Sequence, residues 1–379
     1  MRILIATGIF EPEAGGPATY TPKIAAKLVQ AGNEVTVITY SDKKKHDLDS
    51  RYPFRLIRVV RGKYKLANYY SFFRAVSPEL VGVDVTYSLD WIAAGLPLTL
   101  AAMIKNIPVV IRVGGDYIWE KYLQSGGSPM PLAEFNERGL YKHQRILFWI
   151  IIVVLRRAFV VFNSDAERDM YRRLYGLREE RTGVIHNPMP EKGWLGVVRE
   201  KPNNELVFAG RFIAMKNITS LLAAYATART PFRLVLMGEG PEEQRIRGAI
   251  KALKLEEKVS IYPPMRQQEL FERIKNSRAL VLPSWTDIAP NQVSEAIALG
   301  IPILVTKENF LVFRDQLPDM LDPASVEDIR QKLEMLADEM RYQSFAEKCR
   351  RIEFKNSWDD VVTKHLGVFG HVLSKGTRH

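Results

Sequence analysis

Four charged side chains in the second half of the chain have the types and spacing to hold a phosphorylated ligand. Arg211 and Lys216 fall in AGRFIAMKN, residues 209–217; Asp287 and Glu295, eight positions apart, fall in PSWTDIAPNQVSEAIALGIP, residues 283–302. Each segment follows a short apolar run, ELVFA or ALVL, and leads into a helical stretch. Gly210 marks a sharp turn after the first run. Arg211 then stands at the carboxyl end of a parallel strand, the edge at which open α/β sheets bind ligands, and Lys216 stands where a helix begins. Two permanent cations beside free helix N–H groups suit a diphosphate better than a neutral ligand. Taken alone, the two residues read equally well as solvated loop cations.

In the second segment Pro283 and Ser284 end the strand, and Asn291 reads as the N-cap of a helix over 292–299 that Gly300 and Pro302 stop. Val293, Ala296 and Ile297 form its apolar face. Glu295 therefore lies on another side near the first turn, able to accept hydrogen bonds from a ribose diol. In isolation it is an ordinary helix glutamate.

Together the two segments resemble the donor site of the retaining GT-B glycosyltransferases of family 4 (glycosyl transferases group 1). That family's signature is a strand, Pro-Ser, two acids spaced as E-x7-E, an Ala-rich helix and Gly-x-Pro, with a Gly-Arg and a downstream Lys earlier in the chain. The resemblance implies that Glu295 holds the ribose, Arg211 and Lys216 hold the diphosphate, and Asp287 faces the sugar being transferred. Gly238-Glu239-Gly240-Pro241 matches the family's turn beside the nucleoside; with Pro263-Pro264-Met265 it is assigned to the base pocket, although both also read as plain strand-to-helix turns. Gly15-Gly16-Pro17 matches the glycine-rich loop of the first domain, and glycine pairs before a helix are also simple turn formers.

The departures bear on the donor. Asp287 is one methylene shorter than the usual Glu, and the loop offering N–H groups to the donor reads Ile288-Ala289-Pro290-Asn291-Gln292, in which Pro290 has none to offer. The family's His after the strand at 109–113 is absent; the chain reads Arg112-Val113-Gly114-Gly115-Asp116 there. Gly114 and Asp116 are the candidate sugar or acceptor contacts, and Asp116 reads also as a cap for the following helix.

Apolar runs predict strands at 2–7, 34–39, 54–60, 83–87, 109–113 and 159–163, then again at 205–209, 233–238, 259–262, 279–282 and 302–306, alternating with helical stretches such as 20–30. This is α/β patterning with two doubly wound parallel sheets, and the length favours two domains. The resemblance implies a GT-B fold, two Rossmann-like domains facing a central cleft: an acceptor-side domain at 1–190, a nucleotide-sugar domain at 200–358, and a last helix, 359–379, packing back on the first. The Pro-, Gly- and charge-rich residues 184–204 read as the linker. ILFWIIIVVL at 146–155 is too short to span a bilayer and fits a core helix under the first sheet.

Other chemistries lack their residues. Gly238-Glu239-Gly240 is no G-x-G-x-x-G fingerprint, and P-loop and G-x-S-x-G motifs are absent. Asp47-Leu48-Asp49 spells D-x-D but lies in a polar loop, the six His have no ligand spacing, and Cys349 is the only cysteine. No metal site and no cofactor are expected, the donor being a UDP-, GDP- or ADP-sugar. The net charge of +11 favours polyanions. No nucleic-acid module is recognisable, and no nucleic-acid partner is expected. Basic and aromatic residues interleave over 58–74, which suits either a lipid interface or a helix with its aromatics turned inward. With the first strand directly after Met1 and a single cysteine, cytoplasmic residence at the inner membrane face is expected. The resulting expectation is metal-independent, retaining transfer of a hexosyl or N-acetylhexosaminyl group to a glycan or lipid-linked acceptor. Competing readings are a sugar-nucleotide-binding protein without transfer activity, a GT-B epimerase and a polyanion-binding protein.

Overall fold

The structure, a computed structural model, describes residues 1–13, 15–190 and 201–376 of the 379, so the middle of the linker expected at 184–204 lies outside the described residues. The chain forms two compact units, one of Met1–Tyr117, Tyr141–Pro188 and Trp358–His379, the other of Ile118–Leu140 and Met189–Ser357.

In chain order the regular elements up to the linker are β1 (Arg2–Thr7), α1 (Gly16–Gln30), β2 (Glu34–Ser41), β3 (Arg55–Val60), α2 (Lys65–Glu79), β4 (Val85–Ser88), α3 (Gly95–Ile104), β5 (Val109–Arg112), α4 (Tyr117–Gln124), α5 (Leu132–Glu137), α6 (Arg145–Arg157), β6 (Phe159–Phe162), α7 (Asp165–Tyr175) and β7 (Thr182–Val184). After it come β8 (Glu205–Ala209), α8 (Ile218–Thr227), β9 (Arg233–Met237), α9 (Glu243–Ala252), β10 (Val259–Tyr262), α10 (Gln267–Ile274), β11 (Ala279–Leu282), α11 (Asn291–Ala298), β12 (Ile303–Thr306), β13 (Met320–Leu321), α12 (Val326–Met335), α13 (Glu339–Arg350) and α14 (Trp358–Gly376).

The first unit holds a parallel sheet in the order β3-β2-β1-β4-β5-β6-β7 and the second one in the order β10-β9-β8-β11-β12-β13. Each is a Rossmann-like sheet whose winding reverses once, between β1 and β4 and between β8 and β11, the point at which such sheets open for ligands. The central strands are covered on both faces, which is why RILIAT and ALVL are nearly continuous apolar runs. Ile3 and Ile5 pack against α1 and α14, while Leu4 and Ala6 face α2 and α3. Within the first unit α14 is tied down by Tyr20 against Trp358, by Lys27 on Asp359, and by His365, whose Nε2 is 3.0 Å from the Tyr87 hydroxyl.

Four details differ from the sequence reading. Residues 118–140, expected in the first domain, pack with the second unit, where the Leu132 N–H donates to Thr286 Oγ1 at 2.9 Å. The first helix begins at Gly16 rather than residue 20, with Pro17 in its first turn, where a missing N–H costs nothing. The apolar helix α6 is not buried throughout: Ile151, Val154 and Leu155 are inside, but Ile146 is 80% and Trp149 65% exposed. Asn291 is the first residue of α11, not its cap, and Pro290 precedes it in an extended conformation.

Candidate active site

The functional segments of the second unit meet because β8 and β11 are neighbours. At the end of β8, Gly210 adopts φ +151° and donates its N–H to Met237 O at 2.9 Å. Gly238, at the end of β9, lies so close that a Cβ there would come 1.9 Å from the Gly210 carbonyl oxygen. The two turns therefore run backbone against backbone, an approach only glycine allows. Buried Phe212 holds the arrangement, its N–H on Glu239 O at 2.8 Å, and leaves Arg211 and Glu239 exposed beside each other's turn. The side chain of Arg211 has no ion pair among the described residues. A Cβ on Gly210 would stand 3.2 Å from Nε2 of Gln292, so the first turn of α11 also reaches this edge.

Lys216 ends a one-turn helix, Ala214–Lys216, directly before Asn217, the cap of α8. Its Nζ donates to Asp287 Oδ1 at 2.5 Å, with the two side chains 13% and 1% exposed. Three backbone bonds set this meeting: Trp285 N–H to Met215 O at 2.8 Å, Asp287 N–H to Glu308 O at 2.9 Å, and Phe310 N–H to Asp287 O at 3.0 Å. Asp287 is thus stitched as a parallel bridge beside Asn309. Oδ2 of Asp287 is buried without a hydrogen-bond partner among the described residues. Asn217, left-handed at φ 53°, donates Nδ2 to the carbonyls of Pro283 and Pro323 and so fixes the start of α8. The resemblance implied that Asp287 faces the sugar being transferred; in the structure its Oδ1 accepts from Lys216, and its side chain is 1% exposed.

Glu295 falls at the start of the second turn of α11, next to the first. Its Oε1 accepts from Gln267 Nε2 of α10 at 2.6 Å, and half-buried Met265 lies two residues before that glutamine, packed on the core of the unit. The assigned base-pocket loop and the assigned ribose acid are therefore adjacent. Asn291 and Gln292 carry first-turn N–H groups, and the loop leading to them includes Ala289 at φ 43°, a left-handed conformation for a residue with a Cβ. Gln267, Trp285, Asn217 and the 308–310 segment belong to this site and carried no signal of their own in the sequence, being an ordinary glutamine, a half-buried loop aromatic, an asparagine and backbone groups.

In the first unit Gly15 and Gly16 do open α1, and a Cβ on Gly15 would come 2.5 Å from Cδ1 of Ile9. Gly114 is exposed, with open space around it. Asp116, directly before α4, is buried, and its Oδ2 accepts the Tyr171 hydroxyl at 3.2 Å. The group the sequence reading passed over is Arg112, whose Nη2 donates to Asn163 Oδ1 at 2.6 Å, Ile185 O at 2.9 Å and Asn187 Oδ1 at 2.8 Å. It ties residues 185–187 to the ends of β5 and β6. Beside it, burial lifts the Glu167 carboxyl to about 7, against the opposing effect of the Asn163 N–H on Oε2 at 2.7 Å. The D-x-D acid Asp49 is occupied by Arg58, with Nη2 to Oδ1 at 2.7 Å.

Residues 14–191 match the model of Glycosyltransferase Family 4, and residues 197–344 match Glycosyl transferases group 1. The chain is a glycosyltransferase of the GT-B fold, a GT4 domain followed by a group 1 domain. An exopolysaccharide phosphotransferase of Streptomyces coelicolor is 25% identical over 53% of this chain, which spans only 22% of that protein's length. A D-inositol 3-phosphate glycosyltransferase of Pseudarthrobacter chlorophenolicus is 21% identical, with 97% of this chain and 93% of that one covered. Among solved structures, sucrose-phosphate synthase from Thermosynechococcus elongatus superposes with a TM-score of 0.77 at 17% identity, covering 99% of both chains. Anabaena HepE in complex with UDP and glucose superposes with a TM-score of 0.74 at 15% identity, covering 98% and 99%. At those identities the two structures speak for the fold.

Proposed function

We propose that the chain is a retaining, metal-independent transferase that moves a hexosyl or N-acetylhexosaminyl group from a nucleoside diphosphate sugar (UDP-, GDP- or ADP-linked) to a glycan or lipid-linked acceptor at the cytoplasmic face of a membrane. One observation carries the reading: Arg211, Lys216, Glu295 and the first turn of α11 all come to the carboxyl edge of the second unit's sheet, around the β8/β11 switch point. Anabaena HepE, which shares the fold, was solved with UDP and glucose, and this supports a nucleotide as ligand.

In this reading Glu295, steadied by Gln267, accepts from the ribose hydroxyls, and Met265 and Glu239 border the base. Arg211 and Lys216 take the diphosphate with the α11 N–H groups. Breaking the bond between the anomeric carbon and the β-phosphate oxygen places charge on that oxygen, where preorganised cations act most strongly. The acceptor oxygen bonds to the anomeric carbon on the face the phosphate leaves, and its proton passes to the departing phosphate oxygen. Asp287 serves by holding Lys216 in place. A binding protein without transfer activity is the second reading, favoured by the ion pair that already engages Lys216.

Calorimetry with UDP, GDP, ADP and TDP tests the site, and one of the four is expected to bind with loss in Lys216→Ala/Asp287→Asn. No binding of any by folded protein would sink both readings, whereas binding without sugar release from the matching donor would select the second. Proton NMR of the anomeric signal in the first product formed decides retention.

A further inference from the structure

The net charge of +11 is not shared between the units. The first has 27 Lys and Arg against 17 Asp and Glu, a net of +10; the second has 27 against 26. In the second unit cations pair along their own helices, as in Arg247 with Glu243, Arg330 with Glu327 and Arg350 with Glu347. The first unit differs on one layer. There α2 and α3 pack side by side on the sheet face of Leu4 and Ala6, and α6 packs beside α3. From Gly139 to Ser164, a stretch that contains α6, the chain has no Asp or Glu. Exposed Lys65, Arg74, Lys105, Lys142, Arg145 and Arg157 stand on or beside these three helices, and none has a carboxylate partner among the described residues.

The same layer carries large apolar side chains in solvent. Leu66 and Tyr70 of α2, Ile104 of α3, and Ile146 and Trp149 of α6 are all more than half exposed. On α6 the exposed pair continues into half-buried Ile150 and Val153, an i, i+3, i+4, i+7 stripe opposite the buried Ile151, Val154 and Leu155. A helix apolar on two sides needs cover on both, and the sheet supplies only one. Apolar residues including a tryptophan, edged by unpaired cations, with Glu79 of α2 the one acid on the three helices and that one paired with Arg55, have the chemistry of a surface that sits in a headgroup layer. Nucleic acid would use the cations and leave the apolar stripe in water.

We propose that the outward side of α2, α3 and α6 docks the first unit on a bilayer rich in anionic phospholipid, with Ile146 and Trp149 entering the headgroup boundary and the cations over the lipid phosphates. This rests on the reading of the chain as a transferase working at a membrane face and names the surface it uses. No helix among the described residues is long and apolar enough to cross a membrane, so the contact is peripheral.

Sedimentation of the full chain with vesicles of phosphatidylcholine plus phosphatidylglycerol, and with phosphatidylcholine alone, tests it. Binding is expected only to the anionic vesicles, weakened by salt, and reduced about tenfold or more in Ile146→Gln/Trp149→Gln. Lys142→Glu/Arg145→Glu, which leaves the apolar stripe whole, is expected to fall similarly and guards against misfolding of the first variant. Anionic vesicles left unbound by the wild type, or bound equally by both folded variants, would overturn the docking surface. So would duplex DNA binding that is indifferent to Trp149→Gln and replaces vesicle binding. Calorimetry with the nucleoside diphosphates on the same samples separates the two proposals: vesicle binding without nucleotide binding removes the donor reading and keeps the surface, and the reverse removes the surface alone.

Discussion

Nζ of Lys216 and Oδ1 of Asp287 meet at 2.5 Å across 71 positions of sequence, with the two side chains 13% and 1% exposed. Removing one partner leaves the other charge buried without compensation, a loss of about 3–5 kcal/mol. Lys216→Ala alone is therefore expected to lower stability in urea by that order and turnover by about a hundredfold or more. Lys216→Ala/Asp287→Asn should recover most of the stability and none of the turnover. Recovery of both would show that the ammonium is structural and takes no part on the phosphate.

Glu295 is expected to read the ribose. Glu295→Gln should weaken nucleoside diphosphate binding about tenfold and abolish discrimination against the 2′-deoxy nucleotide, since an amide is a weaker acceptor than a carboxylate. Gln267→Ala should act in the same direction and less strongly, by freeing the carboxylate to rotate. Unchanged ribose discrimination in Glu295→Gln, read by calorimetry, would remove the assignment.

Ala289 is held at φ 43° in the loop before α11. Ala289→Gly relieves a left-handed alanine and is expected to stabilise the second unit by about 1 kcal/mol in urea denaturation. If the alanine conformation preorganises the loop for the donor, the same change raises KM while leaving kcat in place; an unaltered KM would make the strain incidental.

Glu167 has its carboxyl raised by burial to about 7 from an ordinary 4.5. A raised acid holds its proton more tightly when folded, so its contribution is complete below about 4.5 and is lost as the pH rises through 7. Between pH 4.5 and 8 the wild type should lose about 3 kcal/mol relative to Glu167→Gln, which cannot ionise. Parallel stability curves for the two proteins would contradict the shift.

The central strands were readable because parallel strands buried on both faces need unbroken apolar residues: β1, β8 and β11 run over the residues predicted for them. The short edge strands were not, since β7 contains a glycine and β13 is two residues long. In the site, Gly210, Arg211 and Glu295 stand at the edge where motif spacing put them. What spacing could not carry is who faces whom. The union of Lys216 with Asp287 depends on backbone bonds from Met215 and Glu308, and the burial of Asp116 depends on a tyrosine 55 positions away. The periodicity of α6 was equally ambiguous, because an apolar side chain reads the same whether sheet or solvent covers it.

Val361 and Phe369 of α14 are fully buried in the core that β1 and α1 begin. During synthesis, α1 is made before Met189–Ser357 and its cover, α14, after them. The second unit can therefore close before the first, and the core around α1 must wait partly open, dependent on chaperones or on speed, until α14 arrives.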